Sequence, residues 1–291
     1  MSIDILTITN HDRNTFQGKY IYPVVSRRAG GLSLGINLNT NNACNWQCIY
    51  CEVPNLIRGK PDPIDLKELE SELDYWLDQI VNKSFLSQYT KSKTEFKDIA
   101  FSGNGEPTAS KQFKAVISIL IKKINEFNLN KIIIRLITNG SYMANPETQE
   151  ALSLLANFNR EVWFKIDQTN SEGVKIINQV SLSTSSVKKN LEAALRSSPT
   201  VIQTCLFKLN NELPSSKSLD TYINFMKPYR YKIKGIHLYS LARLSEQTND
   251  VRLTSPPSGT ILLIWFWPSP SIVRFTSLVI GPILTIRFQP S

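Results

Sequence analysis

The chain has 291 residues, 42% of them hydrophobic and 20% charged, which is typical of one or two globular domains and excludes global disorder. Its formal charge of +9 permits an anionic partner such as RNA, although the lysines are spread along the chain and fit a generally basic surface as well. Only four cysteines are present, and the N-terminus shows no basic segment leading into an apolar run. We therefore expect a cytoplasmic protein rather than a disulfide-stapled secreted one.

Strand and helix patterns alternate along most of the chain. Short apolar or β-branched runs predict strands at 32–38, 97–103, 131–137, 161–167, 200–207 and 233–241. Apolar residues at steps of three and four predict helices at 64–81, 111–127, 145–156, 185–197 and 216–228. Asp65, Ser110 and Asn145 are the expected N-caps of the first three helices, with Asp65 and Glu68 forming a capping box.

Six strand-then-helix units, the last incomplete, predict an α/β fold with a parallel sheet and right-handed crossovers. Two architectures remain open, namely an open doubly wound sheet and a partial (β/α)6 barrel. Polar and glycine-bearing loops follow the predicted strands rather than precede them, at 41–53, 102–108, 138–141 and 167–170. Because the carboxyl ends of parallel strands share one edge of a sheet, these loops predict a ligand site there.

The most informative loop carries three cysteines, Cys44, Cys48 and Cys51, among asparagine and glutamine residues. Buried structural cysteines rarely cluster in such a polar loop. A structural zinc site usually needs four ligands in two pairs, and the remote candidates for completing it are His11, His237 and Cys205. Three thiolates without a fourth instead suit a cubane iron–sulfur cluster, because one iron then stays open for a small chelating ligand.

The stretch "CNWQCIYC", with an aromatic residue before the last cysteine, resembles the motif of the radical S-adenosylmethionine (radical SAM) superfamily. The resemblance covers roughly residues 17–245 and implies a partial (β/α)6 TIM-type barrel. It implies that Cys44, Cys48 and Cys51 ligate a [4Fe–4S] cluster. It further implies that the amino and carboxylate groups of S-adenosylmethionine chelate the open iron.

The same resemblance extends to the loops that follow the strands. It implies that Tyr50 fills the aromatic slot whose main chain lies near the adenine, and that Asn139 lies in a loop able to contact cofactor or substrate. "GNGEP" matches the glycine-rich segment that receives the methionine amino group, although an asparagine stands where glycine is commoner. Its matching residues are Gly103, Asn104, Gly105 and Glu106.

Three further polar residues each have two interpretations. Lys165 and Asp167 share one face of a predicted strand. Asp167 is a candidate cofactor ligand, and the pair would bind ribose or substrate or else form an ion pair inside the barrel. Cys205, in the middle of a predicted strand, is expected to be a buried thiol, with a radical or acceptor role as the alternative. No residue is assigned as catalytic from the sequence.

The implied chemistry starts when a reduced cluster cleaves S-adenosylmethionine into methionine and a 5′-deoxyadenosyl radical, which abstracts hydrogen from a substrate. The leader from residue 20 to 51, together with "SGNGEPT", also resembles a bacterial group related to wyosine-type tRNA-modifying enzymes. That resemblance does not identify the substrate. The formal charge of +9 leads us to expect tRNA or another anionic substrate, and reduction of the cluster implies an electron donor such as flavodoxin or ferredoxin. We expect no membrane association.

The C-terminal end has a different composition from the rest. From Val251 to Ser291 the chain has no Asp, Glu or Lys, and its apolar run at 261–267 is too short to span a membrane. It is either an unusual β-rich extension or a tail out of the original coding frame. The expected organisation is a leader at 1–29, the barrel at 30–245 and an atypical tail at 246–291. The rival hypotheses are a zinc-binding RNA-interaction module and a truncated, inactive radical SAM protein.

Overall fold

The computed structural model describes residues 18–26, 28–90, 94–241, 245–247, 253–254 and 283–286. His11 and most of the predicted tail lie outside this part. The chain divides into two compact units. The first comprises 1–45, 57–138 and 142–162, and the second 46–56, 139–141 and 163–291.

The first unit contains the N-terminal strands of a mostly parallel sheet in the order β1-β2-β3-β4. These strands are β1 (Ile21–Ser26), β2 (Gly31–Ile36), β3 (Phe96–Phe101) and β4 (Ile133–Thr138). Strands β2, β3 and β4 are parallel, as predicted, whereas β1 adds an antiparallel hairpin that the sequence did not predict. Strand β5 (Arg160–Lys165) begins in the first unit and ends in the second.

In the second unit, β6 (Thr200–Cys205) pairs in parallel with β7 (Gly235–Tyr239), and β7 pairs antiparallel with β8 (Ile283–Ile286). Strand β8 lies in the segment predicted to be an atypical tail, for which a β-rich extension was one of the two interpretations, although no strand was predicted at these residues. All six predicted strands are present within a few residues of the expected bounds. The helix-connected, mostly parallel arrangement confirms the predicted α/β class.

Helices follow the strands in both units. They are α1 (Leu66–Val81), α2 (Phe85–Tyr89), α3 (Phe113–Glu126), α4 (Pro146–Ser153), α5 (Ser171–Asn178), α6 (Thr184–Ser197) and α7 (Ser216–Met226). The prediction of Ser110 as N-cap of α3 is wrong. A 3-10 turn at Pro107–Ala109 delays the helix, so Gln112 stands at the N-cap position, without a side-chain capping bond, and the Ser110 hydroxyl accepts the backbone N–H of Gln112 at 3.2 Å. Among the helices described, none has the length and apolar character of a membrane span.

Helix α1 contacts the rest of the first unit through buried leucines and through a carboxylate that binds the backbone before β1. Its buried leucines, among them Leu69 and Leu73, face the sheet. The Glu72 carboxylate accepts three consecutive backbone N–H groups that lead into β1, from residues 19, 20 and 21, at 2.9–3.0 Å. Asp65 caps the helix as predicted, since one of its carboxylate oxygens accepts the backbone N–H groups of Lys67 and Glu68.

We expect Asp65→Ala to lower the free energy of unfolding by about 1 kcal/mol, because it leaves two N-terminal N–H groups of α1 without their acceptor. Urea denaturation followed by circular dichroism measures the change. Asp62→Ala, which removes an exposed carboxylate three residues earlier, is the matched control and should change stability by less than about 0.5 kcal/mol. Equal losses in the two variants would contradict the capping role.

A buried ion triad supports the sheet of the first unit. The Arg135 guanidinium lies between two carboxylates, pairing with Asp98 through Nη1 and with Glu161 through Nε at 3.1 Å. All three residues are at least 92% buried. Burial lowers the pKa of Arg135, an effect that the Glu161 carboxylate opposes, and an arginine remains charged at neutral pH.

Candidate functional site

The loop that carries the three cysteines is divided between the units after Asn45. In the first unit, Cys44 sits on a two-residue strand paired in parallel with Ile57–Arg58. The backbone N–H of Ile57 donates to the carbonyl of Asn42, and that of Gly59 donates to the carbonyl of Cys44, both at 3.0 Å. These bonds hold the backbone of Cys44 extended.

The glycine segment after β3 packs directly against this backbone. A Cβ atom built on Gly105 would lie 2.2 Å from the carbonyl oxygen of Ala43, and one on Gly103 would lie 2.2 Å from Oδ1 of Asn37. Asn104 donates its backbone N–H to Asn37 at 3.0 Å. Its side-chain amide donates to Asn42 at 2.6 Å. The first unit therefore brings the predicted glycine segment and the Cys44 strand together.

Glu106, the last residue predicted in this segment, is 1% exposed, and its carboxylate accepts hydrogen bonds from neighbouring residues. Its Oε1 accepts the backbone N–H of Thr108 at 3.1 Å and the hydroxyl of Thr138 at 2.7 Å. It thus caps the 3-10 turn and fixes the end of β4. Tyr142, which sequence reasoning missed, lies nearby, and desolvation together with Glu106 and Cys44 raises its pKa.

In the second unit the cysteine loop is docked on the C-terminus of α5. The backbone N–H of Gln47 donates to the carbonyl of Asn178 at 3.2 Å, and that of Ile49 donates to the carbonyl of Ile177 at 2.9 Å. The last carbonyls of a helix lack partners within the helix, so the loop satisfies them. Helix α5 was not predicted, and the C-terminal contact that positions Cys48 was therefore also missed.

Asp167 is the centre of a buried polar cluster beside this loop. Its Oδ2 accepts the Tyr50 hydroxyl at 2.5 Å and the Asn178 amide at 2.9 Å. Its Oδ1 accepts the backbone N–H of Cys205 at 2.9 Å and lies 3.8 Å from Nζ of Lys165. Two residues predicted near the cofactor, Tyr50 and Asp167, are therefore in direct contact.

Lys165 completes the cluster through two tyrosines. Its ammonium lies 4.8 Å from the ring centre of Tyr50 and 5.0 Å from that of Tyr239, and it donates to the Tyr239 hydroxyl. Desolvation alone would lower the pKa of Lys165, but Asp167, together with Tyr239, Cys205 and Cys48, more than offsets it and the pKa is raised. The side chain therefore stays protonated at neutral pH. Of the two interpretations of Lys165 and Asp167, the ion pair is observed, and a cofactor role for Asp167 stays a prediction.

Two of the three loop cysteines belong to the second unit, and both are half-buried. Desolvation, with a further contribution from Asp167, raises the pKa of Cys48 to about 12. Binding of a metal centre to this thiol would therefore release a proton at neutral pH. Cys205 is 5% exposed and packs against Ile49, Tyr50 and Phe207, as expected of a buried thiol.

A segment beyond the last predicted strand closes over the other end of the cysteine loop. The Ser245 hydroxyl donates to the carbonyl of Ile49 at 2.5 Å, and the backbone N–H of Glu246 donates to the carbonyl of Cys51 at 3.0 Å. The Gln247 amide donates to the carbonyl of Val53 at 2.6 Å. Residues 246 and 247, which composition assigned to the atypical tail, thus contact the cysteine loop.

Asn139 lies in the loop after β4, where its Oδ1 accepts the backbone N–H of Ser141 at 3.0 Å and the Ser141 hydroxyl at 2.7 Å. The next residue, Gly140, has φ of +81° and a Cβ there would meet the Phe164 ring at 2.2 Å, so the turn requires glycine. Asn139 borders a cavity of about 20 Å³, also walled by Asp167, which has room for about one water molecule.

A larger cavity of about 620 Å³ in the same unit is also lined by Asp167. It is walled by the first turns of α5 and α7, the end of β6 and the loop that follows it. Its lining includes acidic Glu172 and Glu212, basic Lys217 and the apolar side chains of Phe207 and Tyr222. The volume suits a small-molecule ligand.

The similarity between this chain and its sequence relatives covers only part of each relative's length. A protein named GTPase Obg from Brachyspira hyodysenteriae is 30% identical over 176 residues, which cover 60% of this chain and 23% of that protein. A UPF0026 protein of Helicobacter pylori is 34% identical over 131 residues, covering 45% of this chain and 37% of the relative. The matched segment therefore spans less than two fifths of either relative.

Two solved structures align with this chain at low sequence identity. Streptococcus suis SuiB bound to S-adenosylmethionine aligns over 76% of this chain and 44% of SuiB, with a TM-score of 0.50 and 15% identity. TYW1 with a lysine-pyruvate adduct bound aligns over 82% of this chain and 74% of TYW1, with a TM-score of 0.43 and 15% identity.

The family model of the Radical SAM superfamily matches residues 38–213, more than half of the chain. The match begins just before the cysteine loop and runs past the end of β6, so it contains the three loop cysteines, the glycine segment and Asp167. This confirms the family predicted from "CNWQCIYC" and the α/β partial-barrel fold class that it implies. The chain belongs to the radical SAM superfamily.

Proposed function

We propose that this chain is a radical SAM enzyme that holds one [4Fe–4S] cluster through Cys44, Cys48 and Cys51 and binds S-adenosylmethionine at the open iron. The observation that carries the proposal is the family match over residues 38–213 around a loop with three thiols and no fourth. When bound and reduced, the cluster supplies the electron that cleaves the cofactor to methionine and a 5′-deoxyadenosyl radical.

The residues present fit such a group. Thiolates are the ligands that iron–sulfur clusters take, and a cubane attaches each of them to a different iron. No group of three or more His, Cys, Asp or Glu side chains that could hold a metal ion occurs within the described ranges, so the fit rests on the thiolate chemistry of the loop. A Cβ atom on Gly103 or Gly105 would collide with atoms of Asn37 or Ala43, so the close packing of this segment beside Cys44 requires glycine at both positions.

The proposed cofactor contacts are those that the resemblance implies, namely Tyr50, Gly103, Asn104, Gly105, Glu106, Asn139 and Asp167. Two of these residues, Asp167 and Glu106, already bind other groups of the protein. Both carboxylate oxygens of Asp167 already accept protein donors, so in this proposal Asp167 acts by holding the Tyr50 ring in place. Glu106 likewise acts by fixing the turn that follows the glycines.

The substrate is proposed from charge alone. A formal charge of +9 favours an anionic molecule, and tRNA is the first to test. The larger cavity beside Asp167 could take a small molecule or one extruded nucleoside. The electron would come from a donor such as flavodoxin or ferredoxin. We also propose a cytoplasmic location, where tRNA and these donors would be present.

The direct test is anaerobic. The protein is reconstituted with iron and sulfide, reduced with dithionite and given S-adenosylmethionine, and 5′-deoxyadenosine is quantified, with Cys48→Ala as control. We expect product from the wild type and none above background from the variant. A wild type that takes up zinc but no iron would instead support the RNA-interaction hypothesis. A cluster whose EPR spectrum responds to the cofactor without product would support the truncated-enzyme hypothesis.

We expect Gly105→Ala to reduce the iron retained per chain severalfold, because the added methyl group must displace the Ala43 carbonyl next to Cys44. Iron and acid-labile sulfide after reconstitution measure the effect, with circular dichroism as the check on folding. Gly59→Ala is the matched control, since its Cβ would meet only the Ala43 methyl group at 3.8 Å, an ordinary contact. Full iron retention in Gly105→Ala would show that the close approach does not position Cys44.

A further inference from the structure

Asn178, the last residue of α5, directs its side chain at one of the loop cysteines. Its Nδ2 lies 3.3 Å from Sγ of Cys48 and 2.9 Å from Oδ2 of Asp167. An amide nitrogen carries two hydrogens, so one can serve each acceptor. Asn178 is 1% exposed, and the proposed cofactor contacts do not include it.

The orientation of this amide is fixed by Asp167. A carboxylate offers only acceptors, so the NH2 group of Asn178 must face it, and the flipped amide would set one oxygen against another. Asp167 is itself held by the Tyr50 hydroxyl and by the backbone N–H of Cys205. The same NH2 group is thereby turned towards the Cys48 sulfur.

The distance between amide and sulfur is fixed by the backbone. The carbonyls of Ile177 and Asn178 accept the backbone N–H groups of Ile49 and Gln47, the two residues that flank Cys48. The loop therefore cannot move away from α5 at Cys48 without breaking two hydrogen bonds. Side chain and backbone of Asn178 together make a rigid support for one cysteine of the loop.

A hydrogen bond donated to a cluster thiolate stabilises the state with more negative charge on sulfur, which is the reduced cluster. We propose that Asn178 is a positioning residue whose N–H···S bond to Cys48 raises the reduction potential of the cluster and so eases its reduction by the electron donor. This inference rests on the proposed function, because it needs a cluster at Cys48. It assigns to α5 a role that the cysteine spacing alone does not contain.

The test compares Asn178→Leu, which keeps the approximate shape but cannot donate, with the wild type and with Asn190→Leu. Asn190 is the matched control because, like Asn178, it borders the cavity of about 20 Å³, but its amide donates to the carbonyl of Ser186 at 3.0 Å. Each full-length protein is reconstituted anaerobically. Iron content is measured first, and the midpoint potential is then obtained by EPR-monitored redox titration.

We expect Asn178→Leu to retain its iron and to titrate at a more negative potential than the wild type and Asn190→Leu. An unchanged potential in the loaded Asn178→Leu protein would overturn the proposal. If that variant loses its iron, Asn178→Ser replaces it. A lower potential in the serine variant then supports the proposal, whereas an unchanged potential or loss of iron there overturns it. A wild type that holds no cluster defeats the proposed function itself, and this inference with it.

Discussion

Alanine at any one of Cys44, Cys48 or Cys51 is expected to remove the cluster almost completely. Each thiolate in a three-cysteine site holds a different iron, so no remaining ligand of the loop can take its place. The wild type should hold about four irons and about four sulfides per chain after anaerobic reconstitution, and each variant only background amounts. Colorimetric iron and sulfide assays on protein that has passed a desalting column measure this directly.

Cys205→Ala is the control that separates ligation from a general effect of losing a thiol. Its sulfur packs among apolar side chains, and the backbone N–H that binds Asp167 survives the substitution. We expect it to keep the wild-type iron content at a modest cost in stability, in line with the loss of a small buried group. Iron loss equal to that of the loop variants would make Cys205 a ligand and contradict the three-cysteine assignment.

The loop cysteines could be predicted because a short stretch of sequence contains the whole pattern that identifies them. The spacing of Cys44, Cys48 and Cys51 and the aromatic Tyr50 need no tertiary information to be recognised. The support of Cys48 depends on contacts across 130 residues to Asn178, and that of Cys51 on contacts across nearly 200 to Ser245. Nothing in the neighbourhood of either partner marks it as a contact, so single-sequence reasoning could not find them.

The fold shows the same division. The predicted strands were recoverable because buried parallel strands are runs of β-branched and other apolar residues, as in 131–137. Helix α5 was missed because eight residues with only three buried positions, Val174, Ile177 and Asn178, give too short a pattern. Strand β1 was missed because it lies in the segment interpreted as a leader, for which no secondary structure was predicted. It forms a hairpin with the strand that follows it.

Arg135→Met is expected to cost about 3–5 kcal/mol of unfolding free energy, because it leaves two buried carboxylates without their shared cation. Asp98 and Glu161 have almost no access to water that could compensate for the loss. Lys114→Met is the matched control, since it breaks an exposed ion pair with Glu150 and should cost no more than about 1 kcal/mol. Chemical denaturation of the protein without cluster measures both variants on one scale.

A second arm distinguishes the loss of a cation from the loss of packing. Replacing all three triad members by apolar residues of similar volume, Asp98→Leu, Arg135→Met and Glu161→Leu, removes the uncompensated charges and should recover most of the stability. A triple variant as unstable as Arg135→Met would mean that the geometry of the triad, and not its charge balance, stabilises the first unit. Arg135→Met within about 1 kcal/mol of the wild type would mean that the carboxylates find other partners or take up protons.

The triad lies on β3, β4 and the start of β5, and the glycine segment and Asn139 follow the first two of these strands. Loss of register there would therefore displace the glycine segment and, through it, the Ala43 carbonyl next to Cys44.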